Sequence, residues 1–169
     1  MSIDARYHEQ VQLLVSLLPY LNDEPCFALK GGTAINLFVQ PFPRLSVDID
    51  LAYLPLEPRD EALHRCRQAL LRLAHAIGAQ MHGVQAELQG NRRDELRILV
   101  RRGRTQVKVE VSPVLRGTVH PPEERDVVGA VEEEYGFATV QVVSLPDLYG
   151  GKLCAALDRQ QQRGCGDRR

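Results

Sequence analysis

Two carboxylates spaced two residues apart, Asp48 and Asp50, lie in an otherwise apolar segment, Val47-Asp48-Ile49-Asp50-Leu51. On a β-strand both carboxylates point to the same side, with Cα atoms roughly 6 to 7 Å apart. Ionised carboxylates are the hard oxygen ligands that Mg²⁺ prefers. Two metal ions held in this way suit in-line attack at phosphorus. The spacing therefore predicts a two-metal site, although such a pair also occurs on ordinary solvent-facing strands.

A third acid, Glu110, lies in the alternating segment Val107-Lys108-Val109-Glu110-Val111. The valines share one side of the predicted strand, and Lys108 and Glu110 share the other. If this strand lies beside the one that carries Asp50, Glu110 completes a cluster of three carboxylates. Three acids on one surface repel each other unless cations neutralise them, so the cluster favours a cation site.

A Gly31-Gly32 turn ends sixteen residues before Asp48 and stands between a predicted strand and a predicted helix. Backbone amides at a glycine turn and at a helix N-terminus form an anion site, which favours phosphate. A simple tight turn is the alternative interpretation. Arg44 and Ser46 share the parity of the two aspartates if the strand extends back that far, and would add a cation and a hydroxyl to the same surface.

Apolar periodicity and breaker residues predict the elements that must position these groups. Pro19 is expected to end or bend the first helix, Gly78 to stop the third, and Ser144 to cap the last. The order predicts an α/β (α+β) domain with a mixed sheet and flanking helices. The predicted elements are helices over 4–21, 33–39, 59–77 and 146–159, strands over 26–29, 47–53, 84–89, 95–101, 105–112 and 139–143, and irregular chain over 113–138.

The composition is that of an ordinary globular domain. The chain has 169 residues, 44% hydrophobic and 25% charged, which is enough for one core and short for two. No run reaches the roughly 18 apolar residues of a membrane span, and the N-terminus has no secretory signal, so we expect a cytoplasmic protein without a membrane partner. The four cysteines lack metal-like spacing and are expected to be structural thiols.

The formal net charge of −1 hides a local asymmetry. Seven basic residues stand against two acids between Arg92 and Lys108, whereas six acids stand against Arg125 between Glu123 and Glu134. A basic ridge of this kind can bind phosphate or RNA. A solvated hairpin face is an equally compatible interpretation.

The constellation resembles the DNA polymerase β nucleotidyltransferase superfamily, in which a Gly-Gly or Gly-Ser helix start precedes an acid-x-acid strand and a third acid. The matching residues are Gly31-Gly32-Thr33, then Asp48 and Asp50, then Glu110. Closer still, Lys30-Gly31-Gly32-Thr33-Ala34 and Arg44-x-Ser46-x-Asp48-Ile49-Asp50-Leu51 are similar to the AbiEii/AbiGii-type toxins. These are nucleotidyltransferase toxins of abortive-infection, type IV toxin–antitoxin systems.

The resemblance extends to Leu148–Arg159, which fits a family helix that carries a lysine, here Lys152, and an Ala-Leu-x-Arg segment. It weakens after Arg159, where the family usually continues with Arg-Asp-x-x-Asp and a helical region. Here Gly164 replaces the first of those aspartates. We therefore expect a nucleotidyltransferase domain over residues 1–159 and a polar tail over 160–169, with the C-terminal helical region missing.

The resemblance implies a polymerase-β-like fold and an enzyme of the EC 2.7.7 type that transfers a nucleoside monophosphate from an NTP. The acceptor is an RNA, possibly a tRNA, or a protein hydroxyl, and a cognate antitoxin acts indirectly. Two Mg²⁺ ions are expected on the catalytic acids Asp48, Asp50 and Glu110. The expected nucleotide-binding residues are Lys30, Gly31, Gly32, Thr33, Arg44, Ser46 and Lys152.

Two alternatives stay open from the sequence. A domain of the same fold could bind a nucleotide or a partner without catalysis, which the shortened C-terminal region favours and the intact acids oppose. An antibiotic-modifying nucleotidyltransferase is the other, and the Lys-Gly-Gly-Thr and Ala-Leu-x-Arg segments argue against it. Calorimetry with Mg²⁺·NTP, set beside a transfer assay, separates binding from catalysis.

Overall fold

The computed structural model describes residues 5–39, 47–90 and 95–164 of the chain. Within these ranges, helices alternate with strands at first, and four consecutive strands follow the longest helix. The elements are α1 (Ala5–Leu21), β1 (Phe27–Lys30), α2 (Gly31–Phe38), β2 (Ile49–Tyr53), α3 (Arg59–Gln80), β3 (Val84–Gln89), β4 (Arg97–Arg102), β5 (Thr105–Arg116), β6 (Glu123–Asp126), α4 (Gly129–Tyr135), β7 (Thr139–Val142) and α5 (Leu145–Gly164).

The seven strands form one mixed sheet in the order β3-β4-β5-β2-β1-β7-β6. Strand β1 is antiparallel to β2 and parallel to β7, and β2 is parallel to β5. Strands β3, β4 and β5 form an antiparallel meander. The mixed sheet with flanking helices confirms the predicted fold class, and it places β2 beside both β1 and β5.

The core lies between the sheet and the helices α1 and α3, which pack against it and against each other. Alternate residues of the strands face this layer, including Leu29, Leu51 and Val109, each at most 1% exposed. The same alternation directs the intervening residues to the opposite side of the sheet. Lys30, Asp50 and Glu110 lie on that second side, because they share the other parity.

The helix predicted over 4–21 agrees with α1, which ends at Leu21, two residues after Pro19. The boundaries predicted for the next two helices were wrong. Helix α2 begins at Gly31 rather than at Thr33. Gly78 does not stop α3, which continues to Gln80, since its φ is not positive and it serves as an ordinary helical residue.

The irregular segment predicted over 113–138 contains the end of β5, the strand β6 and the helix α4. Strand β6, Glu123–Asp126, is an edge strand of four charged residues, so no apolar alternation announces it. Helix α4 buries Val131 alone against the core. Residues 123–126 form a strand because they pair with β7, and the local sequence does not indicate that pairing.

The last helix confirms the predicted cap. Ser144 Oγ donates a hydrogen bond to Asp147 Oδ2 and accepts one from the Asp147 N–H. The helix continues to Gly164, beyond the predicted end at Arg159. In the described part of the chain, the helices are all too short or too polar to cross a membrane.

Candidate active site

A row of four charged side chains crosses four neighbouring strands. Lys30 of β1 lies opposite Asp50 of β2, Asp50 lies beside Glu110 of β5, and Glu110 lies opposite Arg97 of β4. Directly opposed residues point to the same side of a sheet, so all four share one face. They line a cleft of about 260 Å³, together with Glu95, Leu96, Val111 and Ser112.

Asp50 lies near the middle of this row and is half-buried. Burial raises the pKa of its carboxyl group, Lys30 opposes the shift, and the negative charges of Glu110 and Asp48 add to it. Burial likewise lowers the pKa of Lys30, and the charge of Asp50 opposes that shift. The three acids are therefore close enough to interact electrostatically, and the ionised form of Asp50 gains from any added cation.

Gly31 brings the start of α2 against the carboxylate of Asp50. Its φ is +82°, and a Cβ at this position would collide with Asp50 Oδ2. Helix α2 begins here, and the structure gives its N-terminus no hydrogen bond from the side chain of the N-cap residue, Lys30. Backbone amides in the first turn of a helix carry partial positive charge, so the cleft edge beside Asp50 is suited to anions.

Thr33 ties the helix start to the acid strand. It is fully buried, and its Oγ1 donates a 2.5 Å hydrogen bond to the backbone oxygen of Asp48. The bond fixes the backbone from which the Asp48 carboxylate projects. The predicted phosphate turn and the predicted metal strand are thus one connected unit.

Arg97 forms an ion pair with Glu110, with 2.6 Å between Nε and Oε1. The Nε–H is not aligned on an acceptor as a hydrogen bond, so the contact is mainly electrostatic. The sequence reasoning placed Arg97 in the basic ridge and gave it no role at the site. Counting back from the β4–β5 turn, where Arg102 opposes Thr105, would have placed Arg97 opposite Glu110.

A larger cleft of about 390 Å³ lies elsewhere on the sheet, between the end of α1 and strands β1, β2, β6 and β7. Five of its eight lining residues are apolar, and the others are the amides Asn22 and Gln141 and the acid Glu124. It brings together no pair of ionisable groups. The smaller cleft, with two carboxylates, a lysine and an arginine in one row, is therefore the candidate active site.

The structure brings together most of the residues that the sequence singled out. Lys30, Asp50 and Glu110 line the cleft, Gly31 lies against Asp50, Gly32 follows in the first turn of α2, and Thr33 anchors Asp48. Lys152 is exposed on α5, a helix that packs against α2, and it is not among the residues that line the cleft. Arg44 and Ser46 lie outside the described residues.

The residues present fit a divalent cation in donor type and charge. Asp50 and Glu110 offer carboxylate oxygens side by side, and Asp48 is near enough to raise the pKa of Asp50. Among the described residues, no three acid, histidine or cysteine side chains already converge on one point. The ion pair with Arg97 engages Oε1 of Glu110, so a metal ion bound at Glu110 would use Oε2 or displace Arg97 from Oε1.

Comparisons with known proteins identify a family for the chain and a solved structure of similar fold. The family profile described as nucleotidyl transferase AbiEii toxin, type IV TA system, matches residues 12–165. Among solved structures, MenT4, a nucleotidyltransferase toxin from Mycobacterium tuberculosis H37Rv, is similar with a TM-score of 0.60 and 23% sequence identity. The match covers 87% of this chain and 53% of MenT4, so the chain spans about half the length of that structure. A comparison with curated protein sequences gives no significant match.

Proposed function

The chain belongs to the AbiEii family of nucleotidyl transferase toxins of type IV toxin–antitoxin systems, and on that premise we propose that it transfers a nucleoside monophosphate from an NTP to a hydroxyl of RNA or protein. The observation that carries the proposal is the adjacency of Asp50 and Glu110 in register, with the start of α2 at Gly31 packed against Asp50. This chemistry needs carboxylates beside phosphate-binding amides, and the close approach of Gly31 to Asp50 supports that arrangement here.

Asp48, Asp50 and Glu110 are the residues that would hold divalent metal, with two Mg²⁺ ions as the proposed complement. Bound there, Mg²⁺ would neutralise charge on the triphosphate and on the attacking and leaving oxygens. The amides of Gly31, Gly32 and Thr33 would hold the β- and γ-phosphates at the helix start. Lys30 supplies a cation in the cleft itself, and we propose that Arg44, Ser46 and Lys152 add contacts to the triphosphate.

In the proposed reaction the acceptor oxygen forms a bond to the α-phosphorus as the bond to the bridging oxygen breaks. Pyrophosphate leaves with that bonding pair, and the hydroxyl proton passes to Glu110 or to water. The contribution of the protein is alignment and charge stabilisation, because phosphoryl chemistry needs little covalent participation from side chains. The half-buried setting of Asp50 strengthens these electrostatic effects.

The test is transfer of label from each α-³²P-NTP to total RNA and to protein, with and without Mg²⁺. Asp50→Asn and Asp48→Asn are expected to reduce transfer by at least about 10²- to 10³-fold, as loss of a key charge-stabilising group does. Asp60→Asn is the matched control, because Asp60 is an exposed acid on α3, outside the cleft. Transfer that survives both aspartate variants would refute the metal assignment.

A binding measurement separates this function from a non-catalytic nucleotide-binding domain. Mg²⁺·NTP bound by the whole chain in calorimetry, with no transfer to any RNA or protein, would favour the non-catalytic interpretation.

We also propose that residues 1–159 hold the transferase domain and that a cognate antitoxin counteracts the product of the reaction rather than the protein. Coexpression of an adjacent antitoxin gene should then restore growth without forming a complex in pull-downs.

A further inference from the structure

One side of the three-stranded meander is not covered by a helix among the described residues. Helices α1 and α3 pack on the side that carries Ile98, Val100 and Val107. The opposite side is called here the open sheet face, and apart from the buried Leu99 its side chains are exposed or half-buried. The open sheet face consists of Gln85, Glu87, Gln89, Arg97, Leu99, Arg101, Gln106, Lys108 and Glu110.

The cations of this face form a track that starts in the candidate active site. Arg97 lines the cleft, Lys108 lies diagonal to it on β5, and Arg101 lies diagonal to Lys108 on β4. Diagonal neighbours of this kind are about 7 to 8 Å apart. Arg102 and Arg104 continue the positive charge at the exposed tip of the hairpin. From Arg97 to Arg101 the track runs four residues along one strand, or about 14 Å.

These cations differ in pairing from Arg97. In the part of the chain that the structure describes, Arg101, Arg102, Arg104 and Lys108 have no ion-pair partner, whereas Arg97 pairs with Glu110. Unpaired cations in a line are complementary to a polymer that carries one negative charge per nucleotide, about 3.4 Å of helix axis per strand. The track therefore fits a polyanion better than it fits a single small anion.

The remaining side chains of the face distinguish nucleic acid from an acidic protein. A protein interface needs a buried centre of apolar or aromatic side chains, and its hot spots cluster there. The one apolar residue of the open sheet face, Leu99, is buried, with only 8% of its surface exposed. It therefore offers a protein partner no apolar centre to bind. Gln85, Gln89 and Gln106 supply hydrogen-bonding groups instead, which suit sugar and phosphate oxygens.

We propose that the open sheet face binds the sugar–phosphate backbone of a single RNA strand whose terminal hydroxyl reaches the cleft beside Asp50 and Glu110. The inference rests on the proposed nucleotidyl transfer and deepens it, because it commits the acceptor to RNA and defines its path. Arg101 and Lys108 contact phosphates of the strand. The hairpin tip with Arg102 and Arg104 extends the contact away from the reacting end.

The experiment measures RNA binding apart from catalysis. A fluorescein-labelled single-stranded RNA of mixed sequence is titrated with the whole chain in EDTA, without NTP, at several KCl concentrations, and anisotropy is recorded. Arg101→Gln/Lys108→Gln is expected to weaken binding about tenfold and to reduce the slope of log Kd against log[KCl] by about 1.4, at 0.7 per phosphate contact. Arg101→Glu/Lys108→Glu should weaken binding further.

The control is Arg6→Glu/Arg59→Glu, an equal charge change at exposed arginines on α1 and α3, which cover the other side of the sheet. It should leave Kd within about twofold, since distant surface charges are screened by salt. Thermal unfolding monitored by circular dichroism confirms that each variant is folded. Unchanged binding and slope in the Arg101/Lys108 variants would overturn the proposal.

Two further outcomes separate this inference from the proposed function. Asp50→Asn should bind the RNA as tightly as the wild type does while losing transfer. If the wild type binds the RNA but transfers no nucleotide, the proposed function is refuted, and RNA binding by the open sheet face still stands. A polyglutamate peptide of equal charge serves as competitor. If it binds as tightly as the RNA, the partner class is wrong and an acidic protein replaces RNA.

Discussion

Arg97 and Glu110 face each other across strands β4 and β5, with 2.6 Å between the guanidinium Nε and the carboxylate Oε1. Lys30 lies opposite Asp50 at the other end of the row, and its positive charge opposes the rise in the pKa of Asp50. Each acid of the central pair thus has a basic residue beside it, while Asp48 and Glu95 add further negative charge near the cleft. The contact also means that a metal ion and Arg97 compete for Glu110.

The Arg97→Met variant is expected to bind divalent metal more tightly than the wild type. Both partners of the ion pair are more than a third exposed, so the contact contributes at most about 1 kcal/mol and its removal should tighten binding about two- to fivefold. Mn²⁺ binding followed by electron paramagnetic resonance measures this directly. Arg101→Met, the same change on the same strand, is the control, and equal affinity in all three proteins would contradict competition.

The Asp50→Asn variant is expected to be more stable than the wild type at neutral pH, by a margin that shrinks as the pH falls. The pKa of Asp50 is raised in the folded protein, chiefly by burial, so the folded state binds this proton more tightly than the unfolded state. The resulting stability is complete below the unfolded pKa and is lost as the pH rises through the folded pKa. Urea unfolding of both proteins in EDTA across acid and neutral pH measures the difference.

The sign of that pH dependence is decisive. A difference between the Asp50→Asn variant and the wild type that stays constant with pH would mean that the carboxyl titrates alike in the folded and unfolded states. A difference that grows on acidification would mean that Lys30 outweighs the burial of Asp50.

Gly31→Ala is expected to destabilise the fold and to reduce transfer. The residue has φ of +82°, and its new Cβ would meet the carboxylate of Asp50, so a cost of roughly 1 to 2 kcal/mol follows from the left-handed backbone alone. Thermal unfolding should show a decrease of a few degrees in Tm. Gly78→Ala is the control, because nothing lies within 4 Å of that Cβ, and it should stabilise α3 by up to about 1 kcal/mol. Equal effects at the two glycines would contradict the special role of Gly31.

Thr33→Val is expected to destabilise the protein by about 1 to 3 kcal/mol, because it leaves the backbone oxygen of Asp48 without its buried donor. Thr33→Ser keeps the hydroxyl and should cost only the missing methyl group, about 0.8 kcal/mol. Urea unfolding and the initial rate of label transfer are measured on both. A valine variant that transfers faster than the serine variant would show that this hydrogen bond does not position Asp48.

The faces of the site residues followed from the sequence, whereas their neighbours did not. Alternation in 47–51 and 107–111 was enough to place Asp50 and Glu110 away from the core, and the structure shows them in register. The sequence did not predict that β5 lies beside β2, because parallel pairing joins strands that are far apart in the chain. The apolar face of each strand determines on which side of the sheet its acid lies, and the order of the strands determines which residues lie beside that acid.

The structure of charged segments could not be predicted from local sequence patterns. Strand β6 has four charged residues, and it is a strand only because β7 pairs with it. Arg97 looked like one of seven basic residues, and its place opposite Glu110 depends on a register set at the hairpin turn before Thr105, which lies eight residues after Arg97. Strand pairing overrides composition in both cases, so neither feature was visible as periodicity.

The row of Lys30, Asp50, Glu110 and Arg97 carries two positive and two negative charges across adjacent strands. Because each acid of this row lies beside a basic residue, we expect the chain to reach its native state without a bound metal ion, in contrast to small domains that are unfolded until their ion arrives. A metal ion that binds later would then replace a basic side chain as the counter-ion of an acid, in a site that is already folded.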